Sequence, residues 1–218
     1  MRPLTDKIPK PLAPAGGGRR LLDWQIDALV KAGVRDIVLN IAHLSGLFVP
    51  ALGHERLGAR LTYSVEGACY EESLETKGGI VKALPLLTDG EEPFIVCAGD
   101  IVTDFDYRRL LSRRGEILSG AAAAHLVLVP NPPFHQEGDM GLLSDGRVAR
   151  NPKSYTFSGI GIYSPKIFTK ERAAFEKLFP WLYGFADAGL VTGEVWTGLW
   201  KNVGTVSELE ALQASADS

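Results

Sequence analysis

Pro93-Phe-Ile-Val-Cys-Ala-Gly-Asp100 is the stretch on which the fold turns. An unbroken apolar run ending in Gly-Asp reads as a buried strand whose carboxyl end carries an acid. In an open α/β sheet, ligands bind outside the carboxyl ends of the strands, so Asp100 would face such a crevice. A hard cation such as Mg²⁺ takes one or two carboxylates together with substrate phosphates, and one strand-end Asp fits that role. A turn aspartate opening the loop that also holds Asp104 and Asp106 fits equally well. Gly99 would let a ligand or a backbone approach closely.

Ahead of this strand, residues 19–33 place Leu22, Ile26, Leu29 and Val30 on one helical face, with Gly33 as the stop. VRDIVLNIA (34–42) reads as a strand covered on both faces, and LGARLTYSV (57–65) as a second. GGIVKALPLL (78–87) reads as a helix opened by glycines and ended early by Pro85. Beyond Asp100, FDYRRLLSRRG (105–115) reads as a short basic helix closing at Gly115. Strands are expected at 121–130 and 155–165, and helices at 166–178 and 180–189. The chain then runs through VWTGLWKNVG (195–204) into a last helix, for which Thr205-Val-Ser-Glu208 has capping-box spacing. Strands alternating with helices predict an α/β protein with a mostly parallel, mixed sheet in one domain over 1–218.

Composition narrows the function classes. In 218 residues, 23 Lys and Arg against 26 Asp and Glu give a net charge of −3, which argues against a nucleic-acid binder. The two cysteines, Cys69 and Cys97, cannot build a disulfide framework and predict reduced, intracellular thiols. The opening MRPLTDKIPKPLAPAGGG has no apolar core of a signal peptide, and no apolar run approaches the ~20 residues of a membrane span. A soluble, cytoplasmic protein is expected, with no nucleic-acid or membrane partner.

Further candidates lie along the chain. Pro9 and Pro11 stiffen the backbone around Lys10, which would present a point charge to a phosphate or stand solvated in a loop. Gly78 and Gly79 at a helix start would leave backbone N–H groups free for a ligand, or simply mark a turn. Asn202 would bind a polar ligand or cap its turn. The histidines at 43, 54, 125 and 135 lack metal-ligand spacing, and neither cysteine has a basic neighbour in sequence.

Six segments in this order, MRPLTDKIPKPL (1–12), AGVRDIVLNIAH (32–43), LETKGGIVKALPLL (74–87), CAGDIVTDFD (97–106), YTFSGIGIY (155–163) and WKNVGT (200–205), resemble the sugar-1-phosphate nucleotidyltransferases. The likeness covers nearly the whole chain. LET-x-GGI with FSGI, and no C-terminal β-helix domain, resemble the short bacterial branch that uridylylates N-acetylmuramate 1-phosphate in cell-wall recycling. The resemblance implies a Rossmann-like nucleotidyltransferase fold. It implies attack of a sugar 1-phosphate on a nucleoside triphosphate, UTP in this branch, with Mg²⁺ as cofactor and pyrophosphate as product. Carried over by position, Asp100 would be the principal Mg²⁺ ligand, with Asn202 as a second metal position, and Lys10 would contact phosphates. Gly78, Gly79 and Glu66 would meet the base, and Glu75 and Thr76 would lie near the sugar. Asn131, Ser158 and Gly159 would line the sugar side, with Lys153 toward the sugar phosphate.

The chain also departs from the family pattern. The family carries a strand and a G-x-G-x-R loop ahead of M-x-P-L-T. This sequence begins at that Met, so the fold is expected to lack its first strand, with a natural product continuing upstream. Asn202 replaces a family Asp, Lys77 a glycine and Ala98 an Asn, and Ala68–Ser73 is a longer insertion. These departures leave open a homologue that binds nucleotide or sugar phosphate without turnover. A guanylyl- or thymidylyltransferase for another sugar is the other alternative.

Overall fold

A computed structural model describes residues 1–67, 69 and 72–216. The insertion's Ala68, Tyr70 and Glu71 lie outside the described residues. The strands are β1 (Asp36–Ile41), β2 (Glu55–Arg56), β3 (Ala59–Val65), β4 (Phe94–Cys97), β5 (Ile101–Thr103) and β6 (Ala124–Pro130), followed by β7 (Gly141–Leu142), β8 (Val148–Ala149), β9 (Tyr155–Tyr163), β10 (Val191–Val195) and β11 (Trp200–Asn202). The helices are α1 (Leu21–Lys31), α2 (Phe48–Leu52), α3 (Glu75–Leu87) and α4 (Arg108–Leu111), then α5 (Arg114–Leu118), α6 (Leu178–Trp181), α7 (Tyr183–Asp187) and α8 (Val206–Ala216). The α/β class read from the sequence holds. The chain divides into two compact units, the described residues of Met1–Ser73, Ala98–Asp106 and Leu199–Ser218, and those of Leu74–Cys97 and Tyr107–Gly198.

In the first unit, β1 runs parallel to β3, and β2 returns antiparallel on β3's other side. Side chains alternate along β1, so Ile37, Leu39 and Ile41 are buried while Asp36 and Asn40 stand exposed. The expected two-sided cover of this strand is therefore corrected to one side, the pattern of a half-buried edge strand. β5 pairs antiparallel with β11, setting Asn202 opposite Ile101. Leu21, Val102, Val203, Leu209 and Leu212 close a core beneath this ribbon. Gln25 Nε2 donates to the Ile101 carbonyl at 2.8 Å in the interior, satisfying a backbone acceptor next to Asp100. The capping box forms as read. Glu208 Oε2 accepts from the Gly204 and Thr205 N–H groups at 2.8 Å each, and the Glu208 N–H donates to Thr205 Oγ1 at 3.2 Å.

In the second unit, the sheet order is β10-β6-β9-β4. β6 is parallel to β10, and β9 is antiparallel to both β6 and β4. Residues 124–129 are all buried, as the apolar run predicts, and each large side chain there contributes roughly 2 kcal/mol of burial. Phe94, Tyr163, Phe168 and Trp181 extend this core as an aromatic row, with Phe168 and Trp181 5.1 Å apart.

Several boundaries differ from the reading. α3 runs through Pro85 to Leu87, past the early end expected at the proline. Residues 108–118 form two short helices, and Gly115 lies inside the second, while the chain turns at Gly120, φ +77°. β4 is only partly buried beyond Phe94. The expected 166–178 helix is a single 3-10 turn (Pro165–Ile167) and then an extended run of loop, and β10 emerges where no strand was read.

Candidate active site

The first unit places three of the expected site residues around one ribbon. Lys10 opens a 3-10 turn that Pro9 and Pro11 stiffen and that Leu12, 2% exposed, anchors in the core. Its Nζ lies 2.5 Å from Asp100 Oδ2, with both side chains partly open to solvent. The Asp100 carbonyl accepts the Val203 N–H at 3.1 Å, tying the loop after β4 to the end of β11. Gly99 serves packing: a Cβ there would sit 3.2 Å from Leu22 Cδ1 and 3.8 Å from Pro11. The close approach expected at this glycine is made by protein side chains.

Asn202 has a buried Oδ1 with no hydrogen-bond partner among the described residues. A buried acceptor left unpaired costs about 1–3 kcal/mol, so this oxygen is suited to a cation or a donor from a ligand. Asp100 and Asn202 supply one charged and one neutral oxygen, a donor set that Mg²⁺ accepts when substrate phosphates complete its shell. Among the described residues no group of three or more His, Cys, Asp or Glu could hold a metal by itself. Glu208 is close enough to Lys10 to feel its charge. Burial raises its pKa, but the Thr205 hydroxyl and the cap N–H groups outweigh that and hold it below the usual range. Glu66 follows the carboxyl end of β3, where its N–H donates to the Ile41 carbonyl at 2.7 Å.

In the second unit, Glu75 begins α3 in the left-handed conformation, φ +59°. Thr76 follows it, and Gly78 and Gly79 are buried in the first turn. The Gly78 N–H is not free, as the sequence suggested, but donates to the Glu176 carbonyl at 3.2 Å. Asn131 is also committed within the fold. Its amide donates to the Gln136 and Lys153 carbonyls, and its oxygen accepts from Thr156. Ser158 and Gly159 are the two extra residues of a bulge in β9, between the Val127–Ile160 and Leu128–Phe157 pairs. Ser158 Oγ donates to the Val127 carbonyl at 2.7 Å, replacing a ladder bond, and Gly159 supplies φ +81°. Lys153 is exposed.

Three features escaped the sequence reading. Lys77 is 2% exposed and pairs with Glu171 and Glu176. His135 stands between Glu137 at 3.0 Å and Asp139 at 2.9 Å, and the Asp139 carboxylate foremost raises its pKa. The H-x-E-x-D spacing over 135–139 was the available signal. His125 Nδ1 lies 2.8 Å from Thr192 Oγ1, and its Nε2 is 3.4 Å from Glu194, which also pairs with Arg109. Burial pushes the Cys97 thiol up to about 11.

A family model described as Nucleotidyl transferase matches residues 1–217. The N-acetylmuramate alpha-1-phosphate uridylyltransferase of Neisseria meningitidis serogroup B is 42% identical over 99% of this chain and 93% of its own length. The mannose-1-phosphate guanylyltransferase catalytic subunit beta of Danio rerio is 30% identical over 94% of this chain, which spans 58% of that longer protein. Among solved structures, a putative glucose-1-phosphate thymidylyltransferase from Bacillus anthracis superposes with a TM-score of 0.80 at 18% identity, covering 100% of this chain and 90% of that one. HddC from Yersinia pseudotuberculosis, complexed with GMP-PN, gives a TM-score of 0.75 at 18% identity, covering 95% and 90%. These two likenesses bear on fold alone. The match over nearly the whole sequence, with a 42%-identical relative covered almost end to end, places this enzyme in the nucleotidyltransferase family.

Proposed function

We propose that the chain, acting as one domain over 1–218, transfers a uridylyl group from UTP to N-acetylmuramate 1-phosphate and releases pyrophosphate. The observation that carries the chemistry is the Lys10–Asp100 pair beside the unpartnered Asn202 Oδ1. The choice of sugar and base is supported by the Neisseria relative, whose name specifies both. A sugar-phosphate oxygen attacks the α-phosphorus in line, forming a P–O bond as the bond to the β-phosphate oxygen breaks. Lys10 supplies a fixed positive charge for phosphate oxygens, worth most where water is scarce. Asp100 and Asn202 would hold Mg²⁺, which when bound neutralises charge on the phosphates.

By the resemblance, Glu66, Gly78 and Gly79 are assigned to the base, and Glu75 and Thr76 to the sugar. Asn131, Ser158 and Gly159 shape the sugar side from within the fold, and exposed Lys153 is assigned to the sugar phosphate. We assign the enzyme to the cytoplasm and to peptidoglycan recycling; no helix among the described residues is long and apolar enough to cross a membrane.

Pyrophosphate release, screened over nucleoside triphosphates and sugar 1-phosphates with Mg²⁺, tests this reading. UTP with N-acetylmuramate 1-phosphate should give the highest kcat/KM, and a clear preference for GTP with mannose 1-phosphate would overturn it. A second reading, a binder without turnover, is favoured by one observation, the neutral amide at 202. Thermal stabilisation by nucleotide without product would support that reading instead.

A further inference from the structure

The start of α3 is held by a segment almost a hundred residues further along the chain. The Glu176 N–H donates to the Leu74 carbonyl at 3.0 Å, and the Glu176 carbonyl accepts from the Lys77 N–H at 3.0 Å and the Gly78 N–H at 3.2 Å. These bonds bracket Glu75, whose φ of +59° is one that residues other than glycine rarely adopt. The Lys77 side chain closes the same loop. Its Nζ lies 2.5 Å from Glu171 Oε2 and 2.6 Å from Glu176 Oε2, 4.9 Å from the centre of the Trp181 ring. Gly78 permits this approach, since a Cβ there would fall 1.8 Å from the Ala174 carbonyl oxygen.

A buried ammonium between two carboxylates is not available to a substrate phosphate, and the cluster's net negative charge would repel one. Its effect must pass through the backbone it secures. We propose that Lys77 is a positioning residue that ties Glu171 and Glu176 to α3 and so fixes Glu75 in its left-handed conformation for sugar recognition. The inference rests on the function proposed above for its last step, but the tie itself does not. Lys77 stands where the resemblance leads one to expect glycine, so the device belongs to this chain's own residues.

The test compares the full-length wild type with Lys77→Met, Lys77→Arg and Glu176→Gln. Amide hydrogen exchange reads the tie, and steady-state pyrophosphate release from UTP and N-acetylmuramate 1-phosphate reads its consequence. Lys77→Met should speed exchange at the 77 and 78 amides at least about tenfold while the β6 amides stay protected. It should lower kcat/KM for the sugar phosphate about tenfold or more, and Lys77→Arg should restore most of both. If Lys77→Met also exposes β6, Glu176→Gln, which alters a half-exposed partner, makes the same comparison in a folded protein. Unchanged exchange at 77 and 78 overturns the tie. Faster exchange with unchanged kcat/KM overturns the positioning role. A wild type that releases no pyrophosphate with any substrate pair counts against the proposed function and the final step, while the exchange result still decides the tie.

Discussion

Lys10 and Asp100, ninety positions apart in sequence, meet as an ion pair with Nζ 2.5 Å from Oδ2 and with 25% and 31% of their side chains open to solvent. The partial exposure bears on the proposed reaction, in which the pair would exchange its mutual contact for phosphate and metal without unpacking the core. Lys10→Ala and Asp100→Asn should each lower kcat about a hundredfold or more, the scale of losing one fixed charge stabiliser. Their melting temperatures should stay close to wild type, since exposed pairs add little to stability. Near-normal turnover in either variant would remove that residue from the reaction.

Asn202→Asp places a second carboxylate beside Asp100 and should reduce the Mg²⁺ concentration needed for half-maximal rate. Titrating pyrophosphate release with Mg²⁺, and thermal stability with Mg²⁺ alone, gives two readouts. Identical Mg²⁺ dependence in both would count against position 202 as a metal position.

Asp23 is fully buried and accepts a two-pronged contact from Arg56, at 2.9 and 2.6 Å, besides the Arg20 N–H. Asp23→Ala should cost roughly 3 kcal/mol in a urea titration, toward the low end for a broken buried pair because Arg56 keeps access to water. Burial alone would raise the Asp23 pKa, but Arg56 and the Arg20 N–H outweigh it and hold it below 3.8. Its stabilisation is therefore complete above the unfolded value and is lost as pH falls through the lower folded value. Asp23→Asn should flatten that part of the acid limb, and an unchanged limb would refute the assignment.

His135 gives the opposite sign. Asp139 first, and then Glu137, outweigh its partial burial and raise its folded pKa above 6.5. The stabilisation is present below 6.5 and fades as pH rises through the folded value. Urea midpoints at pH about 6 and about 8 should differ more in wild type than in His135→Gln. Equal differences would show that this histidine does not drive the slope.

What the sequence made legible follows from distance along the chain. Lys10 is marked by its flanking prolines, Asp100 by the apolar run before it, and the α8 cap by a spacing of three. The first turn of α3 was recognisable from LET-x-GGI, but its lock was not, because Glu171 and Glu176 lie 94 and 99 residues from Lys77. The same long-range contacts take up the end of the expected 166–178 helix, where Glu176 spends its backbone groups on residues 74, 77 and 78. The FSGI motif was visible as a pattern, whereas its role as a bulge depends on where β6 pairs with β9.

The left-handed backbone at Glu75 has one more consequence. Glycine would adopt that conformation without strain, so a carboxylate there is retained against the local preference of the chain. A full substitution series at 75 should then separate into two rankings, with glycine first for thermal tolerance and glutamate first for turnover. If glutamate ranks first for turnover there, as its proposed place beside the sugar requires, then selection for heat resistance alone would erode the choice of sugar.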